Sequence, residues 1–185
     1  MWVLLDHLGA TLVAATVTLL ALGVMLSKQR DGVAASARAA SVGSLASTTE
    51  WIERDLNNLG AGLPADEDTI VDFAWHGEAP SLTFVTGPDT SVTAPPRRVR
   101  YERAEVGRDT FQLRRYAVTP TGDRLSAQSP PTLLALNLVL MDRQGEETAQ
   151  PDRAHAVSIH LTMAPPLGAG GDVEWSRRFV IRASP

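Results

Sequence analysis

The sequence predicts an α+β protein, a long N-terminal hydrophobic-to-amphipathic α-helix followed by an antiparallel β-sheet domain. Three observations carry that reading. Residues 8–26 are 19 consecutive positions without a charge. No proline precedes Pro64, and an apolar stripe of helical period runs through residues 42–59. Beyond Gly60 the chain changes to short runs rich in β-branched and aromatic residues, set off by Gly, Pro and Asp.

The first half of the helix comes first. As a helix, residues 8–26 extend about 28 Å at about 1.5 Å per residue, close to the hydrocarbon thickness of a bilayer. A secretory signal is the competing reading, with Ala35-Ser36-Ala37 in the place of a cleavage site. The apolar run is longer than a usual signal core and no basic segment precedes it, so membrane insertion is expected. Asp6 stands at the apolar end, and the nearest positive charges, Lys28 and Arg30, follow the run. Taken alone, that charge order puts the C-terminal domain in the cytoplasm. A basic leader ahead of Met1 would reverse the orientation.

In the second half, Val42, Leu45, Thr49, Ile52, Leu56 and Leu59 recur at spacings of 3, 4, 3, 4 and 3, one face of a helix. Trp51 widens the stripe, and Glu50, Glu53, Arg54 and Asp55 are expected on the solvated side. Asn57-Asn58-Leu59-Gly60 is a C-terminal stop, with Pro64 shortly beyond. The whole helix would be about 85 Å long; Gly32 and Gly43 are expected points of bending, since glycine is a poor helix former. The organisation is a helix over 1–60, with a membrane or filament-core half at 1–27 and an amphipathic half at 28–60, then a β-rich domain over 61–185.

Strands are expected over residues 69–75, 81–86, 97–106, 110–119, 132–141, 156–164 and 173–182. Breaks fall at 86–89, 94–96, 120–123, 129–131 and 165–172, and Val106-Gly107-Arg108-Asp109 reads as a hairpin connection. Residues 133–141 suit a short buried helix as well as a strand, because periodicity cannot separate the two. With 10 aromatic residues in all, the core must come largely from Val, Leu and Ala.

The chemistry is mostly one of exclusions. Cysteine is absent, which removes disulfides, thiolate metal sites and cysteine nucleophiles. A net charge of −4 argues against a dedicated nucleic-acid binder. Of the histidines His7, His76, His155 and His160, the last two sit five apart on an expected strand and face opposite sides. No H-E-x-x-H, G-x-S-x-G or P-loop occurs, and Gly168-Ala169-Gly170-Gly171 reads as a flexible connection. Asp66, Glu67, Asp68 and Asp72 could offer oxygen ligands to calcium, but without EF-hand order the expectation is a solvated loop. No catalytic residue, cofactor or resident metal is expected, and the chain does not read as an enzyme. The basic counterpart is Arg97, Arg98, Arg100, Arg103, Arg108, Arg114 and Arg115, with Tyr101, Phe111 and Tyr116 between them. Arg98, Arg100 and Arg114 are the candidates for contact with a nucleic acid or an acidic surface. A hairpin closed by cross-strand salt bridges explains the same residues without a ligand, and is the favoured reading.

An apolar helix continuing into an amphipathic half and then a β-rich domain resembles the type IV pilins and the pseudopilins of type II secretion. Trp2-Val3-Leu4-Leu5-Asp6 resembles the mature pilin start Phe-Thr-Leu-Ile-Glu, aromatic first and acid fifth, with Asp in place of Glu. Asp55-Leu56-Asn57-Asn58-Leu59-Gly60, Arg98-Val99-Arg100-Tyr101-Glu102 with Phe111-Gln112-Leu113-Arg114-Arg115, and Arg178-Phe179-Val180-Ile181-Arg182 are similar to segments of W-type minor pilins and J-type pseudopilins. The resemblance implies a non-enzymatic subunit, held in the inner membrane by its helix and then packed against copies of itself or other pilin subunits in a surface or periplasmic filament. It implies assembly roles for Trp2 and Asp6, the carboxylate pairing with the terminal amine of the adjacent subunit. A single-span anchor carrying an extracytoplasmic binding domain, with or without DNA contact through the arginine hairpin, is the alternative.

Overall fold

The structure, a computed structural model, describes residues 2–64, 67–75, 80–87, 95–164 and 171–181, with side chains from His7 onward. It is α+β: one long helix and an antiparallel sheet. Helix α1 is continuous over Trp2–Asn57, about 84 Å at 1.5 Å per residue. Gly32 and Gly43, expected to bend it, lie inside the unbroken helix with open space where a Cβ would stand.

Every described residue from His7 to Val33 is exposed, and burial starts at Ala37. From there the buried face runs through Ala37, Ser41, Leu45, Thr48, Ile52, Asp55, Leu56 and Leu59, steps of three and four, with Asp55 and Leu56 adjacent, that keep one side of the helix on the sheet. Two expectations are corrected. Val42 is 48% exposed and Ser41 takes its place, donating its hydroxyl to the carbonyls of Ala37 and Ala164. A small hydroxyl lets the helix backbone come close to the sheet where valine would not. Asp55, expected on the solvated side, is buried, because two side chains of the sheet turn inward to meet it.

The strands are β1 (Ile70–Phe73), β2 (Ser81–Thr86), β3 (Arg97–Gly107), β4 (Thr110–Thr119), β5 (Gly122–Gln128), β6 (Leu133–Met141), β7 (Glu147–Thr148), β8 (Ala156–Met163) and β9 (Val173–Val180). All pair antiparallel in the order β1-β2-β3-β4-β6-β8-β9, with β5 added to β4 and β7 to β6. The seven expected strands are present, and 133–141 is a strand. β5 begins inside the break expected over 120–123 and continues through residues to which no strand was assigned; it pairs with β4 from Thr119↔Gly122 to Arg114↔Gln128. Gly122, at φ 127, makes the tight reversal that places it there. The β3–β4 hairpin turns at Asp109 with φ 58, a left-handed conformation that a short polar side chain tolerates.

Alternation along the strands builds the core. Leu82 and Phe84 of β2, Val99 and Tyr101 of β3, Leu113 of β4, Leu136, Leu138 and Leu140 of β6, Val157, Ile159 and Leu161 of β8 and Phe179 of β9 close over Ile52, Leu56 and Leu59 of α1. The end of α1 is tied to the end of β2. Thr86 Oγ1 donates to the Asp55 carbonyl at 2.8 Å, and Gly87 N–H donates to the Asn58 carbonyl at 2.8 Å. Ala61 N–H bonds the same Asn58 carbonyl, and Asn58 Nδ2 bonds the Arg54 carbonyl. The carbonyls that a helix terminus leaves without partners thus find them at the end of β2 and in the turn that follows α1.

Candidate assembly helix and helix–sheet clasp

Three features are candidates for function: the free half of α1, the clasp around Asp55, and the outer face of the β3–β4 hairpin.

The free half is a helix long and apolar enough to cross a membrane, with none of its apolar window buried in the protein. Leu12, Leu19, Leu20 and Met25 are each exposed by about two thirds. A soluble domain does not leave so large an apolar surface bare on every side. The polar groups in this half are accommodated locally. Thr11, Thr16 and Thr18 each donate their hydroxyl to a carbonyl one turn back, so none presents an unsatisfied group to an apolar medium. Trp2 and Asp6, the expected assembly residues, stand in the first turns of α1, and their side chains lie outside the described residues.

The clasp joins the docked half to the sheet. Arg115 donates Nε to Asp55 Oδ2 at 2.5 Å and Nη2 to Oδ1 at 2.9 Å, a bidentate pair, and its Nη1 bonds Ser126 Oγ of β5 at 2.6 Å. Tyr101 donates its hydroxyl to Asp55 Oδ2 at 2.9 Å. Trp51 and Phe84 meet the Tyr101 ring edge-on at 5.4 and 5.1 Å. A carboxylate this deep would be prohibitive alone; two-point pairing with a planar guanidinium and a third donor satisfy it. Burial, then the adjacent Asp55 carboxylate, pushes the Tyr101 phenol well above its ordinary value, so the ring keeps its proton and remains the donor. Burial works against the Arg115 charge, but the hydrogen bonds and charge of Asp55 outweigh it and raise the guanidinium further. Sequence reasoning missed this trio. Its signal was parity: Arg115 shares its strand face with Leu113, and Tyr101 with Val99, so a charge on the core side called for a partner there.

On the outer face stand the predicted arginines. Arg100 pairs with Asp123 at 2.9 Å and Glu102 at 3.6 Å, with its guanidinium 4.8 Å from the centre of the Tyr116 ring. Arg114 reaches Glu102 at 3.9 Å. The structure brings these two together as rungs of a salt-bridged hairpin. Arg98 is exposed and, among the described residues, joins no ion pair. Arg103 instead turns toward the core end, over Trp75 and Phe111.

Among the described residues, no three potential metal ligands converge. Glu67 and Asp68 line a cleft of about 520 Å3 together with Asp142, Arg143, Asp152 and His155. Asp72 is on β1, and Asp66 lies outside the described residues, as do His76 and 165–170 of the glycine-rich connection. His155 precedes β8 while His160 sits within it, hydrogen-bonded to Thr162. Neither family models nor curated proteins provide a match to this chain.

Proposed function

We propose that this protein is a structural subunit of a type IV pilus-like or type II secretion filament, a minor or tip subunit that enters the assembly through α1. One observation carries the reading: an uninterrupted helix whose first half is apolar and bare on every side, while its second half is clasped to a β-sheet domain. An apolar rod of that kind requires lipid or other helices around it. Held in the inner membrane, with the sheet domain outside the cytoplasm, the chain has an anchor before assembly; packed among the helices of neighbouring subunits, it forms part of a filament core. Nothing in this role requires catalysis.

The carboxylate of Asp6 sets axial register by pairing with a terminal amine of the next subunit, since an acid within an apolar bundle is costly unless paired or protonated. The test is the variant Asp6→Ala in native cells, with filaments sheared from the surface and the chain quantified in them. The expected outcome is a folded, membrane-held protein that is depleted from filaments. Incorporation at the unmodified level would remove the register role. Absence of the unmodified chain from every filament preparation would favour a single-span anchor carrying a binding domain.

A further inference from the structure

We propose that the open edge of β9 is a strand-addition site for an extended segment of another polypeptide. The segment runs antiparallel to β9, with a carboxylate opposite Arg178, a cation opposite Glu174 and apolar side chains toward Trp175. The inference does not rest on the filament reading.

The backbone of β9 decides which groups are available. Its register against β8 runs without a shift from Ala156↔Val180 to Met163↔Val173. Just beyond it, Ile181 N–H donates to the His155 carbonyl, so the odd-numbered residues exchange their hydrogen bonds with β8. The N–H and carbonyl groups of Glu174, Ser176, Arg178 and Val180 therefore point away from the sheet. Among the described residues no strand lies beyond β9, and these groups have no partner. The opposite edge is closed by comparison. β1 has four residues and a register shift between Ile70 and Asp72, and the 3-10 helix Pro151–Arg153 packs beside it.

Long open edges are usually blunted by proline, lysine or a bulge. β9 has none of these over its eight residues. Its two faces instead describe a partner. On the helix side Phe179 is buried and Arg177 is taken up by Glu53, while Trp175 is only half-buried. An apolar side chain on an added strand would cover that ring. On the outer face Glu174 and Arg178 flank Ser176. Both are exposed and, among the described residues, join no ion pair. Opposite charges at these two positions favour one order of charges on the incoming strand and oppose the reverse. Paired antiparallel about Ser176, a segment reading acid-x-small-x-base satisfies both.

Within this chain only Glu174-Trp175-Ser176-Arg177-Arg178 itself has that order, yet a second copy is not the occupant. α1 lies along the sheet, from Ser41 at the Ala164 carbonyl to the Asp55 carbonyl at Thr86. Joining two β9 edges antiparallel requires a twofold axis through the sheet, which turns the bare halves of the two helices in opposite directions. One bilayer cannot receive both with the two domains on the same side. The partner is a different chain.

The full-length protein in non-ionic detergent is titrated with an end-capped synthetic peptide of residues 173–180, which carries the required order without the helix. Hydrogen exchange is followed amide by amide. The peptide is expected to slow, saturably, the amides of Glu174, Ser176, Arg178 and Val180, those of Trp175, Arg177 and Phe179 being slow beforehand. Arg178→Glu is expected to weaken the midpoint roughly fivefold, and Glu174→Arg in the peptide to restore it. That rescue separates pairing at the edge from any loss of fold in the variant. A peptide that slows none of the four amides, or a midpoint indifferent to Arg178→Glu, overturns the site. Four amides already slow without peptide, and quickened by dilution, would put a second copy on the edge and overturn the choice of partner.

Discussion

The two halves of α1 are one continuous helix in opposite circumstances. In the first half, Leu19 is 70% exposed; in the second, Asp55 is 4% exposed. The usual ordering of apolar inside and charged outside is inverted along a single element. Backbone propensity cannot be the cause, since both halves are helical. What differs is the partner. The sheet supplies Arg115 and Tyr101 to receive a carboxylate, whereas nothing among the described residues covers the leucines. A buried charge is tolerated where its bonds are made, and an exposed leucine calls for something outside the chain to cover it.

That contrast can be broken most forcefully at the clasp. Asp55→Ala leaves a buried guanidinium and a phenol without their acceptor, and is expected to lower stability by about 3–5 kcal/mol, read by denaturant unfolding in detergent. A loss below about 1 kcal/mol would mean that the trio contributes little. In the free half, Leu19→Arg should leave the melting of the sheet domain unchanged while weakening membrane insertion by about 3 kcal/mol, measured as the extractable fraction at alkaline pH. A change in domain stability there would show that the free half packs on the domain after all. Tyr101→Phe removes one hydrogen bond to a charged acceptor, at a cost of about 1.5–3 kcal/mol. It also carries a pH signature. The folded phenol holds its proton above the ordinary value of about 10, so the unfolded chain releases its proton first as the pH climbs. Tyr101's contribution is therefore complete below about pH 10 and declines above it; in Tyr101→Phe this part of the alkaline loss should vanish. The smallest effect belongs to the rim, where Glu53 meets Arg177 at 2.5 Å with both side chains partly exposed. Arg177→Ala should cost no more than about 1 kcal/mol and become silent at high salt.

Much of the fold was legible because its signals are local. The helix stripe, its stop near Gly60 and seven strands follow from periodicity and turn residues alone. The failures share a cause, namely dependence on pairing across the sheet. β5 reads Gly-Asp-Arg-Leu-Ser-Ala-Gln, with no β-branched or aromatic residue, and is a strand because β4 offers it an edge. β7 has two residues and exists only opposite Leu140 and Met141. Val42 was assigned by hydrophobicity, yet Ser41 packs because the helix lies close to the carbonyl of Ala164. Asp55 carried the strongest wrong signal, a charge among charges, and only its distant partners at positions 101 and 115 reverse it. The arginine hairpin was read more nearly, since Glu102 lies between Arg100 and Arg114 in the chain. Asp123, which makes the shorter contact with Arg100, arrives through β5.

The unbroken course of α1 also has a mechanical meaning. A tension applied along the first half reaches the domain as a pull parallel to the helix axis. The seam from Ala37 to Leu59 is then loaded in shear, and its contacts, the Asp55 grip among them, resist together rather than peeling one after another. Gly32 is the compliant link in that rod ahead of the seam, with open space around it and a weak helix preference. Under load the helix would lengthen there, between the bare apolar segment and the first grip on the sheet at Ala37, sparing the domain.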